Sequence, residues 1–222
     1  HHEHRRQRQM CIRDRGWTSD TDDAEGNILN VAKKIPDSSK VILALNSFLG
    51  ESLQKAPFYS ALKHKGKPLY KYAREGELIE KPPREIKIID ISNIHFENPL
   101  LEFDITCSKG TYIRSIARDI GNLLECGGYL SKLKRIQQGC FEISDANFTR
   151  ELFTDHIISI ESAFPQFNSL ELNELEENIY KNGGRVESIK GNEEILKIYS
   201  SSKKFMGLGE VNDSGLKLKQ LV

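Results

Sequence analysis

The sequence predicts a mixed α/β chain of the α+β kind, in which a domain on a mixed, mainly antiparallel sheet precedes a small β-domain. Three observations predict it. Arg84 to Phe96 is rich in β-formers, and Leu101, Phe103, Ile105 and Cys107 alternate with Glu102, Asp104 and Thr106; period two marks half-buried strands. Directly afterwards Ile113, Ile116, Ala117, Ile120, Leu123 and Leu124 recur at helical spacing. From Leu170 the chain is punctuated by Asn182-Gly183-Gly184, Gly191-Asn192, Gly207-Leu208-Gly209 and Asn212-Asp213-Ser214-Gly215, which suits several short strands in a small barrel or sandwich.

Composition bounds the class. The 222 residues are 38% hydrophobic and carry 32 basic and 32 acidic side chains, enough to bury a core and too balanced for a general polyanion binder. The apolar run Val41–Leu45 is far short of the roughly 20 residues that a membrane helix needs. The amino terminus lacks the apolar centre of a secretory signal. Cys11, Cys107, Cys126 and Cys140 form no CxxC pair, so neither a disulfide framework nor a zinc site is indicated. The expectation is a cytoplasmic protein with reduced thiols, no metal and no membrane partner.

Residues Arg5 to Arg15 read RRQRQMCIRDR, which resembles a reading frame of a transposase-type sequencing adapter. Residues 1–15 are therefore expected to be foreign and are set aside as a scar. Doing so removes five Arg against Glu3 and Asp14, leaving a mildly acidic remainder. The domains expected are then residues 16–150, a connecting segment at 151–164, and a carboxyl-terminal domain at 165–222.

Gly16 to Gly26 (GWTSDTDDAEG) is a turn, because Asp, Thr and Ser bond their own backbone. Its acids lack EF-hand spacing, so a solvated turn is preferred over a cation site. Asp37 or Ser38 caps a helix carrying Val41, Leu45, Phe48 and Leu49. Lys55 to Arg74 holds six Lys or Arg, one His and no acid, with Phe58, Tyr59, Tyr70 and Tyr72 interleaved. That mixture suits either an RNA surface or a solvated segment with inward tyrosines. The strands at 84–96 and 101–107 should pair through Asn98-Pro99. The helix from Ile113 should end at Gly127-Gly128, with Lys109, Tyr112 and Arg114 near its start, where backbone N–H groups favour an anion. Ser144 to Phe164 reads as helix-like, with a boundary at Pro165.

Several of these blocks together resemble a family. Pro57-Phe58-Tyr59-Ser60-Ala61-Leu62-Lys63, Leu69-Tyr70-Lys71-Tyr72-Ala73-Arg74 and Cys107-Ser108-Lys109-Gly110-Thr111-Tyr112-Ile113-Arg114 are similar to bacterial TruB-type tRNA pseudouridine synthases. GWTSDTDDAEG resembles the family's Thr/Asp-rich loop. Lys181-Asn182-Gly183 and Lys204-Phe205-Met206-Gly207-Leu208-Gly209-Glu210 resemble its PUA-like carboxyl-terminal domain.

The resemblance implies a pseudouridine synthase catalytic domain followed by a PUA-like domain. It also implies a monomer that isomerises the T-loop uridine at position 55 of tRNA, bound through the T-arm stem-loop, without cofactor. The base must detach, turn and reattach, which calls for a flipped nucleotide in a closed pocket. Arg114 matches the arginine that pairs with the nucleophilic Asp, Tyr112 an active-site tyrosine beside the base, and Leu133 a leucine lining the uracil pocket, although a plain core leucine fits as well. Lys63, Lys65, Lys67, Lys132, Lys134 and Arg135 are candidate phosphate contacts. Lys109 and Gly110 shape the turn, with a phosphate contact open to Lys109. His64 could stack in RNA, with a solvated surface ring preferred. The nucleophile, an Asp in a Gly-x-Leu-Asp-Pro type motif, is absent from this chain. The expectation is thus an amino-terminally truncated chain without activity of its own. The rival reading is a non-catalytic RNA-binding protein using the basic face and the PUA-like domain.

Overall fold

The computed structural model describes residues 6–13, 16–30, 36–147, 149 and 157–221, with residues 6–13 and 221 described by their backbone alone. Two compact units are formed, His1–Ser144 and Asp145–Val222. Residues 151–156 of the expected connecting segment lie outside the described residues, and the described parts of 144–164 form two short 3-10 turns, Ile143–Asp145 and Ile160–Ala163, rather than an extended helix.

The first unit runs β1 (Arg6–Arg13), β2 (Trp17–Ser19), β3 (Ile28–Asn30), α1 (Ser38–Asn46), β4 (Gly50–Gln54), β5 (Lys63–His64), β6 (Lys67–Pro68), α2 (Leu69–Arg74), β7 (Arg84–Glu97), β8 (Leu100–Cys107), α3 (Ile113–Leu123), β9 (Tyr129–Gln138) and β10 (Phe141–Glu142). Its main sheet has the order β10-β9-β1-β8-β7-β4, and every neighbour is antiparallel. β7 and β8 form the expected hairpin. The alternation in β8 buries Leu101, Phe103, Ile105 and Cys107 against Ile113, Ile116, Ala117 and Ile120 of α3 and Val41 and Leu45 of α1. Each of the Leu, Ile, Val and Phe side chains among these contributes about 1.5–3 kcal/mol by leaving water. α1 begins where expected, and of the two candidate caps it is Asp37 whose carboxylate accepts the Lys40 N–H at 3.0 Å.

Residues 6–13, set aside at the sequence level, have the backbone of a strand between β8 and β9.

The second unit contains β11 (Ser169–Glu171), α4 (Glu174–Lys181), β12 (Glu194–Tyr199), β13 (Phe205–Asn212) and β14 (Gly215–Leu221). The sheet order is β11-β12-β13-β14, with β11 and β12 parallel and the other pairs antiparallel. Strands were expected here; helix α4 was not. It is held by a capping box, in which Asn173 Oδ1 accepts the Glu176 N–H at 3.0 Å and Glu176 accepts the Asn173 N–H at 3.1 Å. Tyr180 anchors it, fully buried, its hydroxyl donating to the Leu208 carbonyl at 2.9 Å.

Candidate active site

The site is built on the passage from β8 into α3. After Cys107 the chain turns through Ser108-Lys109-Gly110-Thr111, where Thr111 Oγ1 donates to the Ser108 carbonyl at 3.0 Å and Gly110 takes φ +85°, a conformation that strains any residue with a Cβ. Tyr112 then stands at the N-cap of α3. Its peptide is gripped on both sides by Gln54, a buried residue of β4: the Tyr112 N–H donates to Gln54 Oε1 at 2.8 Å, and Gln54 Nε2 donates to the Tyr112 carbonyl at 3.0 Å.

Two residues on, Arg114 reaches across to the Asp-rich loop. Its Nη1 donates to Asp23 Oδ2 at 2.7 Å and its Nη2 to the Tyr59 carbonyl at 2.8 Å. The other oxygen of Asp23 accepts from Thr21 Oγ1 at 2.7 Å and from the Glu25 N–H at 3.1 Å. Four residues along the same helix face, Arg118 Nη1 donates to Asp22 Oδ2 at 2.9 Å. The solvated turn expected from the sequence is therefore corrected: the side chains of Asp22 and Asp23 are only 13% and 19% exposed, because two arginines of α3 draw them in. Burial pushes the Asp22 carboxyl up to about 6, against the pull of Arg118. The resemblance implied a nucleophilic Asp as the partner of Arg114; in this structure the partner is Asp23.

Tyr112, Arg114 and Leu133 line one cavity of about 340 Å³ together with Arg84, Thr111 and Arg135. Leu133 is no core leucine, being 44% exposed. Leu133 and Arg135, two apart on β9, share a face as strand geometry requires. Lys132 and Lys134 are exposed and project to the other face, away from this cavity. Arg114 also borders a second space of about 460 Å³, whose walls include Asp20, Asn27, Tyr59, Tyr70 and Arg74.

The basic segment is only partly free. Lys63 and Lys65 are exposed on the β5–β6 hairpin, as is Lys109 on its turn. Lys67 is spent, bound to Glu75 and lying over the Tyr72 ring at 4.5 Å. His64 is partly buried rather than a solvated ring: it meets Tyr72 edge-on at 5.8 Å and its Nδ1 lies 3.3 Å from Lys81 Nζ. Sequence reasoning missed Asp23, Gln54 and Arg84. Asp23 and Arg84 lay in blocks already singled out, as a turn and a strand, whereas Gln54 lay in none.

Comparisons with known proteins bear on the family and the fold. A family model described as "TruB family pseudouridylate synthase (N terminal domain)" matches residues 6–113. The chain is 40% identical over 220 residues to tRNA pseudouridine synthase B of Clostridium novyi, covering 93% of this chain and 75% of that protein. It is 42% identical over 181 residues to tRNA pseudouridine synthase B of Francisella tularensis subsp. novicida, covering 76% of this chain and 59% of that one. Among solved structures, a Cbf5-Nop10-Gar1 complex superposes with a TM-score of 0.67 at 17% identity, covering 99% of this chain and 67% of that chain. An H/ACA RNP bound to a substrate RNA containing 2'-deoxyuridine does so with a TM-score of 0.66 at 14% identity, covering 99% and 66%.

Proposed function

We propose that this chain, which belongs to the TruB family of pseudouridine synthases, serves the isomerisation of a tRNA uridine to pseudouridine, the T-loop uridine at position 55. Its relatives at 40% and 36% identity are named tRNA pseudouridine synthase B. The observation that carries the reading is the convergence of Tyr112, Arg114 and Leu133 on one cavity, although Leu133 lies on β9 and the other two stand at the start of α3.

The reaction conserves every atom of the base. The bond from C1' to N1 breaks, a bond from C1' to C5 forms, C5 gives up a proton and N1 ends with one. The cavity walls match these demands. Leu133 offers an apolar face to a flipped base, and Tyr112 presents a phenol beside it as a candidate to carry the C5 proton. Arg114, fixed by Asp23 and the Tyr59 carbonyl, supplies a guanidinium that would orient and keep ionised a nucleophilic carboxylate. Lys63, Lys65, Lys109 and Arg135 remain as phosphate contacts, whereas Lys67 and His64 are committed within the fold. The second unit serves as the PUA-like RNA-binding part. Action as a monomer on the T arm, in the cytoplasm, belongs to the same proposal; no helix among the described residues is long and apolar enough to cross a membrane.

No Asp of these 222 residues lies in a Gly-x-Leu-Asp-Pro context. The polypeptide as given should therefore bind a T-arm stem-loop and release no tritium from a 5-tritiated target uridine. A chimera in which the amino-terminal segment of the Clostridium novyi relative replaces residues 1–15 should release one tritium per tRNA. A chimera that binds no T-arm RNA and releases none would overturn the proposal.

A further inference from the structure

Arg84, at the start of β7, has no place in the site implied by the sequence motifs. Its guanidinium lies over the Tyr112 ring, 4.4 Å from the centroid. It also rests on the turn before α3, since a Cβ at Gly110 would stand 3.7 Å from Arg84 Nη1. Arg84 pairs across the ladder with Gln54. One cross-strand pair thus holds both halves of Tyr112: Gln54 fixes its peptide and Arg84 covers its ring.

The other edge of the guanidinium is unused. Nε and Nη2 are shielded from water and have no hydrogen-bond partner among the described residues. These two N–H groups lie on the same side of the planar fork, parallel and spaced for two oxygens of one anion. Of the other guanidinium groups of the cavity, Arg114 is held by Asp23, and Arg135 is exposed and gives one N–H to Gln138, leaving its other donors to solvent. No carboxylate lines the space. Burying charged donors without acceptors is costly, so an unpaired bidentate edge calls for a ligand that completes it.

We infer that Arg84 is a substrate-binding residue which grips a phosphodiester group of the bound RNA through Nε and Nη2, an edge that RNA binding uncovers, with the Tyr112 ring as the platform that aims the fork. The assignment rests on the proposed function only in taking RNA as the source of the anion.

The test is a salt titration of the binding of a T-arm stem-loop, and of an unrelated hairpin of equal length, to the unmodified chain and to Arg84→Gln and Arg84→Lys. Arg84→Gln should weaken binding roughly tenfold at low salt and flatten the slope of log affinity against log salt by about 0.7–0.9, one phosphate's worth. Arg84→Lys should keep the slope and lose part of the affinity, since a point charge replaces the fork. In the unmodified chain, the Arg84 Nε–H resonance should shift when either RNA is added, a readout that needs no variant to fold. Equal affinity for the two RNAs would sink the T-arm reading and leave the slope test of Arg84 intact. A slope unchanged by Arg84→Gln together with an unmoved Nε–H resonance, on both RNAs, would overturn the inference.

Discussion

Asp22 and Asp23 are neighbours in the chain yet meet different arginines, and what burial does to Asp22 can be read by titration. The Asp22 carboxyl rises from 3.8 to about 6, because burial disfavours its charge more than Arg118 restores it. The folded chain therefore holds this proton to higher pH than the unfolded chain does. The stabilisation from the protonated carboxyl is complete below about pH 3.8 and is lost as pH rises through about 6. Asp22→Asn cannot titrate but still offers Arg118 a carbonyl. Its stability relative to the parent chain should improve between pH 4 and 6 and stay level above that, as read from urea midpoints at each pH; parallel curves would contradict the assignment. Asp23 shows why a site residue can escape sequence reasoning. Its arginine lies 91 positions away, and nothing in an acid-rich turn says which of its carboxylates a distant helix will draw in.

At the scale of elements, α3 was legible because its apolar stripe is continuous and buried, from Ile113 through Ile120. Its end was plain to within a turn: the helix stops at Leu123, and Gly127 and Gly128 follow in the turn beyond it. The reason for a glycine within the helix was not. Gly121 packs against that closing turn so closely that a Cβ there would lie 2.3 Å from the Gly127 carbonyl carbon. Gly121→Ala should cost about 3 kcal/mol or more, since backbone must move to admit the methyl group, and should lower the urea midpoint accordingly. α4 went unseen for the opposite reason. Only Tyr180 among its eight residues is buried, too little for a periodic signal, and the available clue was the pairing of Asn173 with Glu176. β9 was legible as a cationic segment, but which of its residues face the cavity depends on strand parity, which the spacing of Leu130, Leu133 and Ile136 disguised as helical.

For the whole molecule, two units with separate cores predict separable unfolding. Asn173→Ala removes the cap of α4 and should cost about 1 kcal/mol, lowering the transition of the 145–222 unit and leaving that of the 1–144 unit in place. Hydrogen exchange followed unit by unit would check this; a shared shift would mean one cooperative fold. The larger consequence lies in how the site hangs on a single rod. Tyr112, Arg114 and Arg118 all belong to α3 or its first turn, and through them the ring over which Arg84 lies, the grip on Asp23 and the grip on Asp22 share one rigid coordinate. A helix advances about 1.5 Å and turns about 100° per residue. Slipping α3 by one residue would swing all three side chains off their partners at once and dismantle the site as a whole, whereas an insertion in the β5–β6 hairpin should leave it standing.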